Sequence, residues 1–106
     1  MFRVNVKDTM LEAAVQSYFI KQVKSRALGL AVKVDCATRR GWPDVIFVAN
    51  DGGVMFIEFK QDKGRLDGHQ HDMHDELISL GADVLTIKGK AATDKLLTLL
   101  ASEALS

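Results

Sequence analysis

The chain has 106 residues, 47% of them hydrophobic and 26% charged, which predicts one globular domain over residues 1–106 and excludes a disordered chain. Its 14 basic residues balance 14 acidic ones, so net charge gives no overall attraction to nucleic acid, and any DNA contact has to come from local basic clusters. The one cysteine, Cys36, excludes an intramolecular disulfide and a cysteine-rich zinc site, and the N-terminus does not resemble a signal peptide, which predicts a cytoplasmic protein. No apolar run reaches the roughly 20 residues that cross a bilayer, which argues against a membrane role.

The first part of the chain predicts a long helix. Residues 2–6 alternate between apolar and polar side chains, as in a short edge strand or a docked arm. Thr9 and Glu12 have the spacing of a capping box, in which each side chain bonds the other residue's main-chain N–H. Apolar residues then recur at helical spacing, which predicts a helix over about residues 10–27.

The centre of the chain predicts a strand followed by a β-hairpin. Residues 30–37 alternate as in a half-exposed strand. The apolar face of that strand carries Val32, Val34 and Cys36. Residues 44–49 and 54–60 are two mostly apolar runs, and the Asn-Asp-Gly-Gly sequence between them is a turn sequence. These two runs are expected to pair as a hairpin.

The last part of the chain predicts a helix, a strand and a helix. Asp67 and Gln70 form a second capping pattern, and the apolar stripe that follows ends at Gly81. That stripe consists of Leu66, Met73, Leu77 and Leu80. Residues 82–87 predict a fourth strand and residues from about 92 to 105 a third helix. The order α-β-β-β-α-β-α predicts an α/β sandwich with a mixed sheet.

Asp44, Glu58 and Lys60 are the residues that point to chemistry. Because strand residues two apart share a face, Glu58 and Lys60 project together from an otherwise apolar strand, where buried charges are costly without partners. Phosphodiester hydrolysis needs a cation such as Mg²⁺, which takes carboxylate oxygens, and a group that positions water. We assign Asp44 and Glu58 as metal ligands, and Lys60 as the group that orients the attacking water and offsets charge in the transition state.

This metal site depends on the register of the hairpin. Opposed residues of an antiparallel hairpin have a constant index sum, and Asp44 shares a face with Glu58 only if that sum is even. A two-residue turn would pair Asn50 with Gly53, an odd sum that sends Asp44 to the other face. We therefore predict a three-residue loop that ends at Gly52 in the left-handed region.

Short segments along the chain are weak individually but specific in combination. They are Glu12 with Gln16, Gly41-Trp42-Pro43-Asp44, Glu58-Phe59-Lys60, Gly64-Arg65-Leu66 with Gln70, and Gly81-Ala82-Asp83-Val84. In this order, over about residues 12–87, they resemble the VRR-NUC domain, a branch of the PD-(D/E)XK nuclease superfamily.

The resemblance implies a restriction-endonuclease-like fold and Mg²⁺- or Mn²⁺-dependent cleavage of DNA. It implies that the site residues are Glu12, Asp44, Glu58, Lys60 and Gln70, with Asp44, Glu58, Phe59 and Glu12 as the metal ligands. Stand-alone domains of this size in the family resemble bacterial or viral proteins that form homodimers and cut branched DNA such as four-way junctions. The resemblance implies no small-molecule substrate. The two-fold symmetry of a dimer would match a junction. The third helix and the arm at residues 2–6 are candidate dimer surfaces.

Several residues have a second interpretation. Glu12 and Gln70 stand at capping positions, so each is a cap, a site residue or both. Asp44 could be a turn residue and Glu58 with Lys60 a surface ion pair, although their apolar neighbours argue against exposure. The basic residues near the motifs are either solvated or phosphate contacts. They are Arg39, Arg40, Lys63 and Arg65.

Three further hypotheses compete with the junction nuclease. One is a restriction-type nuclease that reads a specific sequence, and another is a DNA-binding module without catalysis. The third is zinc binding by His71, His74 and Asp75, which share a helical face; we expect these groups mostly in solvent, because the apolar stripe takes the buried face. Trp42 is expected to pack, with stacking on an unpaired base as its alternative.

Overall fold

The computed structural model describes residues 6–104, and the side chains of residues 12–103. The elements follow the predicted order α-β-β-β-α-β-α. The helices are α1 (Val6–Ser25), α2 (Gly68–Ser79) and α3 (Gly89–Ala104), and the strands are β1 (Gly29–Lys33), β2 (Val45–Ala49), β3 (Val54–Lys60) and β4 (Asp83–Lys88). The arm predicted at residues 2–6 lies outside the described residues except for Val6, which begins α1.

The four strands form one mixed sheet in the order β1-β2-β3-β4. Strands β1, β2 and β3 are antiparallel neighbours, whereas β4 runs parallel to β3. Parallel neighbours need a crossover connection, and α2 provides it. The N-terminus of β2 therefore meets the C-termini of β1, β3 and β4 at one end of the sheet, which we call the site end.

Helices α1 and α3 pack against one face of this sheet. Phe19 of α1 lies at the centre, with its ring centroid 5.5 Å from that of Phe59 and 6.2 Å from that of Phe47. Leu97 of α3 is also fully buried there. Burial of each such side chain contributes about 1.5–3 kcal/mol relative to leaving it in water. The odd-numbered residues of β3 belong to this core, so its even-numbered residues face α2.

Helix α1 begins earlier than predicted. It starts at Val6 rather than near residue 10, so Thr9 lies inside the helix, and its predicted role as the N-terminal cap was wrong. Capping spacing alone does not start a helix when the preceding residues also take helical geometry. The helix ends at Ser25, shortly before Ala27 takes a positive φ of 53°.

Strand β1 is shorter than predicted, and its buried face is the opposite one. It ends at Lys33, although the N–H of Val34 still bonds the main-chain oxygen of Asp44 at 2.7 Å. Ala31 is the buried side chain, whereas Val32 is 43% exposed. Helix α1 covers the face that carries Ala31, and α2 packs at the far side of the sheet near β4. The alternation therefore predicted the strand but not which face is covered.

Helix α2 covers part of the other sheet face. Met73 and Leu77 are buried beneath it, as the apolar stripe predicts. Leu80, predicted to belong to the same stripe, is exposed because α2 ends at Ser79 and the chain turns away there. The N-terminal cap of α2 is Asp67, as predicted.

Candidate active site

The β2–β3 hairpin places Asp44 and Glu58 on the same face of the sheet. Val45 pairs with Ile57, so one further step in this register sets Asp44 opposite Glu58 at the site end. Ile57 points into the core, and its neighbour Glu58 therefore points toward α2. The geometric condition for a shared metal site is met.

The predicted three-residue hairpin loop is confirmed. The N–H of Ala49 donates to the main-chain oxygen of Gly53 at 2.8 Å, and the N–H of Gly52 donates back to the oxygen of Ala49 at 2.9 Å. Gly52 has a φ of 91°, in the left-handed region that glycine adopts without a steric penalty. The loop gives the even index sum on which the register argument rests.

Asp44 is held by the main chain of the neighbouring strand. Its Oδ2 atom accepts a hydrogen bond from the N–H of Phe59 at 2.9 Å. Continuing the register sets Phe59 opposite Pro43, which has no N–H to donate to the Phe59 carbonyl. In an antiparallel ladder the N–H and C=O of one residue point to the same neighbouring strand, so this carbonyl lies on the Asp44 side. The Phe59 ring is in the core and carries no donor atom. The main-chain oxygen is therefore the one atom of Phe59 that can bind a metal ion.

Both carboxylate oxygens of Glu58 contact helix α2. Oε2 accepts a hydrogen bond from Nε2 of Gln70 at 3.2 Å, and Oε1 lies 3.3 Å from Nε2 of His74. The Glu58 side chain is buried, with the residue 1% exposed. The two contacts fix the carboxyl group in one orientation, while its remaining neighbours determine its charge.

The surroundings of Glu58 favour its neutral form in the absence of a cation. Burial, followed by the hydrogen bond and charge of the nearby Asp44 carboxyl group, raises the pKa of Glu58 to about 9. The charge of Glu12 acts in the same direction, whereas Lys60 offsets part of the effect. A buried carboxylate beside other carboxylates is stable only with a compensating positive charge.

Gln70 forms the predicted helix cap and also contacts Glu58. Its N–H donates to Oδ1 of Asp67 and its Oε1 accepts from the N–H of Asp67, both at 2.9 Å, which is a complete capping box. Its Nε2 group remains available to reach Glu58. The start of α2 is thus locked by the same side chain that contacts the candidate site.

Gly41 brings the loop that carries Asp44 against the start of α2. It has a φ of 83°, and a Cβ atom there would overlap the main-chain oxygen of His69 and approach the nitrogen of Gln70. A side chain would therefore meet backbone, which cannot move aside as a flexible side chain can. This close approach connects the loop of Asp44 to the helix of Gln70.

Glu12 belongs to the electrostatics of the site and is not a helix cap. Helix α1 continues past it to Val6, so the capping interpretation is wrong. The charge of its carboxyl group contributes to the raised pKa of Glu58. Glu12 reaches the site end from the α1 face of the sheet, whereas Gln70 reaches it from the α2 face.

Lys60 projects from the same face of β3 as Glu58. Its charge lowers the pKa of Glu58, which indicates that the ammonium group lies near that carboxyl. Among the described residues, it makes no hydrogen bond or ion pair. The ammonium group is therefore available to a ligand in the site.

The donor set fits a cation that brings its own water. Within residues 12–103, no three histidine, cysteine, aspartate or glutamate side chains gather closely enough to hold an ion unaided. Asp44 and Glu58 nevertheless face each other across the hairpin, and the main-chain oxygen of Phe59 is a third hard oxygen donor on the adjoining residue. Mg²⁺ typically binds through one or two carboxylates and keeps several waters. The residues therefore suit Mg²⁺ or Mn²⁺ better than zinc.

The predicted DNA contacts lie at the surface around this site. Arg39 forms an ion pair with Glu76 of α2 at 2.9 Å, with both side chains about half exposed. The other three predicted contacts are exposed side chains on the loops beside the site. They are Arg40, Lys63 and Arg65.

His74 is a contact of Glu58 that the sequence analysis missed. We expected most of the histidine and aspartate side chains of α2 in solvent, and the others are exposed, but His74 is buried against Glu58, and burial lowers its pKa. The sequence did contain a clue, because His74 stands four residues after Gln70 and so shares its helical face. Neither His71 nor Asp75 joins it in a metal cluster among the described residues.

Comparison with known proteins shows the family to which this fold belongs. The family model described as VRR-NUC domain matches residues 2–91. The chain belongs to the VRR-NUC family. A solved structure described as a VRR_NUC domain superposes with a TM-score of 0.73 at 28% identity, covering 82% of this chain and 94% of that one. No curated protein matches the sequence.

Membership of the VRR-NUC family makes the chain a nuclease-type domain that processes DNA. The α/β fold with a four-stranded mixed sheet and flanking helices is that of the matching VRR-NUC structure. None of the described helices is both long and apolar enough to cross a membrane.

Proposed function

We propose that this VRR-NUC domain is a divalent-metal-dependent endonuclease that cleaves branched DNA as a homodimer. The observation that carries the proposal is the Glu58 carboxyl group, buried beside Asp44 and near Glu12, with the Lys60 ammonium on the same face. Such a group of charges is unfavourable without a ligand and matches what phosphodiester hydrolysis requires.

The carboxylates would hold Mg²⁺ or Mn²⁺. Asp44 and Glu58, with the main-chain oxygen of Phe59 and with Glu12 from α1, are the proposed ligands. When bound, the cation polarises the scissile phosphate and lowers the pKa of a bound water. Gln70 and His74 keep the Glu58 carboxylate oriented, one contact to each oxygen.

Lys60 is the proposed catalytic residue that supplies a positive charge from the protein itself. Its ammonium group orients the attacking water by hydrogen bonding, and it offsets negative charge that develops on the phosphate oxygens. Because it has no competing partner among the described residues, it needs no rearrangement to do so. The exposed Arg40, Lys63 and Arg65 would contact neighbouring phosphates.

An exposed apolar area on the sheet supports the homodimer. On the face opposite α1, Leu30 is 59% exposed, Val32 43% and Val54 44%. Leu30 pairs with Val48, which pairs with Val54, so two of these side chains lie on one row across three strands. We call Leu30, Val32 and Val54 the sheet patch and propose that a second copy of the chain covers it. Helix α3, our earlier candidate, turns most of its leucines into the core.

The cleavage test compares labelled four-way junctions with plain duplex in Mg²⁺ or Mn²⁺. We expect cutting of the junction that requires the metal. Lys60→Ala and Asp44→Asn should each lower the rate by at least about 100-fold, because each removes a group that acts on the reacting phosphate. Lys95→Ala on α3, remote from this face, serves as the matched control with unchanged rate. Failure of folded wild-type protein to cut either substrate would refute the proposal.

Two other results would redirect the assignment. Defined fragments from a mixed-sequence plasmid would favour a restriction-type nuclease. Junction binding without metal-dependent cutting would indicate a DNA-binding module. The same protein preparations serve for both measurements.

The dimer is tested by molar mass in solution. Light scattering on a sizing column should give twice the chain mass for the wild type. Val32→Lys on the sheet patch should give the monomer, because burying an unpaired ammonium is costly. Leu99→Lys, an equally drastic change at an exposed leucine of α3, should leave the dimer intact. A monomeric wild type would remove the dimer from the proposal.

A further inference from the structure

Helix α1 and the strand that follows it carry an excess of positive charge. Residues 13–33 contain four basic residues and no acidic one, although the chain as a whole has no net charge. Three of the four are exposed lysines, and none of these lysines forms an ion pair among the described residues. They are Lys21, Lys24 and Lys33. Unpaired charge of one sign on a protein surface attracts a partner of the opposite sign.

Helical spacing sets the two lysines of α1 on one face with small side chains. Ala13, Ser17, Lys21 and Lys24 recur three or four residues apart, so they follow one another along this face, and all four are exposed. At about 1.5 Å per residue, the face is roughly 16 Å long. The phosphates of one DNA strand recur about every 3.4 Å along a duplex axis, so this face is long enough to follow several of them.

A groove connects this face of α1 with the candidate active site. Its volume is about 650 Å³, and Ala13 and Ser17 line it together with Lys33 and Gln61. Lys33 ends β1 and Gln61 follows the last residue of β3, so the groove opens at the site end of the sheet. Glu12, one of the proposed metal ligands, also lines it. The groove therefore leads from the proposed position of the scissile phosphate to the lysines of α1.

The chemistry of this surface restricts its partner. Lysine ammonium groups and a serine hydroxyl are donors that bind phosphate oxygens, and small side chains let a sugar-phosphate backbone lie close to the helix. Glu12 is the one carboxylate that lines the groove, and it lies at the end where the proposed cation binds. A partner that begins in the active site and carries regularly spaced negative charge satisfies these conditions, and the DNA strand that is cut is such a partner.

We propose that the DNA strand on one side of the scissile phosphate runs through this groove and along α1, where Lys33, Lys21 and Lys24 contact its phosphates. The inference rests on the nuclease function proposed above and adds a binding surface to it. These lysines hold the DNA and take no part in the chemistry, which distinguishes them from Lys60.

The first experiment measures how binding to a labelled four-way junction depends on salt. Full-length protein carrying Lys60→Ala is used with Mg²⁺, so that bound DNA stays uncut, and fluorescence anisotropy gives the affinity. Adding Lys24→Met or Lys33→Met should weaken binding by about 10-fold at about 0.1 M salt. Each should also lower the slope of log affinity against log salt by about one, because one phosphate contact is lost. Lys95→Met, at an exposed lysine of α3, is the matched control with an unchanged slope.

A pair of opposite charges at one position tests the path along α1 without removing any side chain that supports the fold. Ser17→Lys should tighten binding and Ser17→Glu should weaken it, since residue 17 is exposed in the groove. Thr98→Lys and Thr98→Glu make the same changes at an exposed position of α3 and should bind equally, because salt screens charges farther apart than about 10 Å. Equal binding by the two Ser17 variants would overturn the proposal.

Cleavage kinetics separate holding the DNA from acting on it. In otherwise wild-type protein, Lys24→Met and Lys33→Met should raise KM for the junction by about 10-fold and leave kcat unchanged, because they remove binding that is equal in the ground and transition states. A lower kcat with unchanged KM would overturn the assignment of these lysines.

The proposed function and this inference fail in different ways. Protein that binds the junction without cutting it, but with the expected changes in salt slope, would refute the nuclease function and retain the surface on α1. Protein that cuts the junction with every slope unchanged would overturn the inference alone. Protein that does not bind the junction would overturn both.

Discussion

The two faces of strand β3 carry different tasks. Ile57 and Phe59 point toward α1 and α3 and are fully buried in an apolar core. Glu58 is equally buried on the other face, yet its neighbours are the polar groups of Gln70 and His74. Packing fixes one face, and hydrogen bonds to α2 fix the other. Core packing of Ile57 and Phe59 therefore directs Glu58 toward α2, and the contacts with α2 then orient its carboxyl group.

This comparison implies that fold stability and activity can be changed separately within one strand. A core residue held by packing should lose stability when truncated. A residue of the polar face held by hydrogen bonds should lose function while the protein remains folded. Each of the following predictions either tests that separation or finds where it fails.

The largest effect on stability is expected from Ile57→Ala. Truncating this fully buried side chain should lower the free energy of unfolding by about 2–5 kcal/mol, because it leaves a cavity in the core. Urea denaturation followed by the fluorescence of Trp42, the one tryptophan, measures it. Leu99→Ala, at an exposed position of α3 outside the sheet patch, should cost less than about 1 kcal/mol. Equal losses would contradict the assignment of Ile57 to the packed core.

Gly41→Ala should disturb both properties. Alanine at a positive φ costs about 1–2 kcal/mol, and its Cβ atom would also push against the main chain of His69, moving the Asp44 loop away from α2. We expect a lower melting temperature and a loss of junction cleavage larger than the loss of stability explains. Gly68→Ala is the control, because a Cβ there meets open space. Full activity of Gly41→Ala would show that the close contact between the Asp44 loop and α2 is not needed for cleavage.

The contacts of Gly41 also show what the sequence does not reveal. The hairpin register, the Gly52 loop and the Asp67 cap were predictable because each depends on neighbours in sequence. The covered face of β1 was not predictable, because it depends on where α1 and α2 pack. The same is true of His74, whose burial follows from the position of Glu58 in another element.

Glu58→Gln should change the pH dependence of stability in the metal-free protein. Burial and the neighbouring Asp44 carboxyl group raise the pKa of Glu58 from 4.5 to about 9, so the folded state retains a proton that the unfolded state releases. The free energy of unfolding of the wild type should therefore fall as pH rises between about 4.5 and about 9. The glutamine of the Glu58→Gln variant cannot ionise, so the free energy of unfolding of this variant should change less over the same pH range.

Mg²⁺ should reverse that loss in the wild type alone, because binding expels the proton from Glu58. Thermal melts at several pH values, with and without Mg²⁺, measure both effects. Parallel curves for wild type and Glu58→Gln would show that this carboxyl group does not carry the pH dependence.

The smallest effect is expected from Glu76→Gln. Its ion pair with Arg39 is half exposed, so its loss should change the free energy of unfolding by less than about 1 kcal/mol. Release of Arg39 should tighten DNA binding at low salt if this guanidinium contacts phosphate. The gain should vanish in the double variant Arg39→Ala/Glu76→Gln. Fluorescence anisotropy with a labelled junction measures it, and unchanged binding would exclude Arg39 as a contact.

The loop that ends at Gly52 sets a rule for insertions and deletions in this hairpin. Because side chains alternate along a strand, one residue added within β2 or β3, between the loop and the carboxylates, would turn Asp44 or Glu58 onto the core face. One residue added within the loop would leave Ala49 paired with Gly53 and both carboxylates on one face. Engineered versions of this hairpin should therefore tolerate changes of length in the loop but not within the strands, so the position of an insertion, even without coordinates, distinguishes variants that can keep the paired carboxylates from those that cannot.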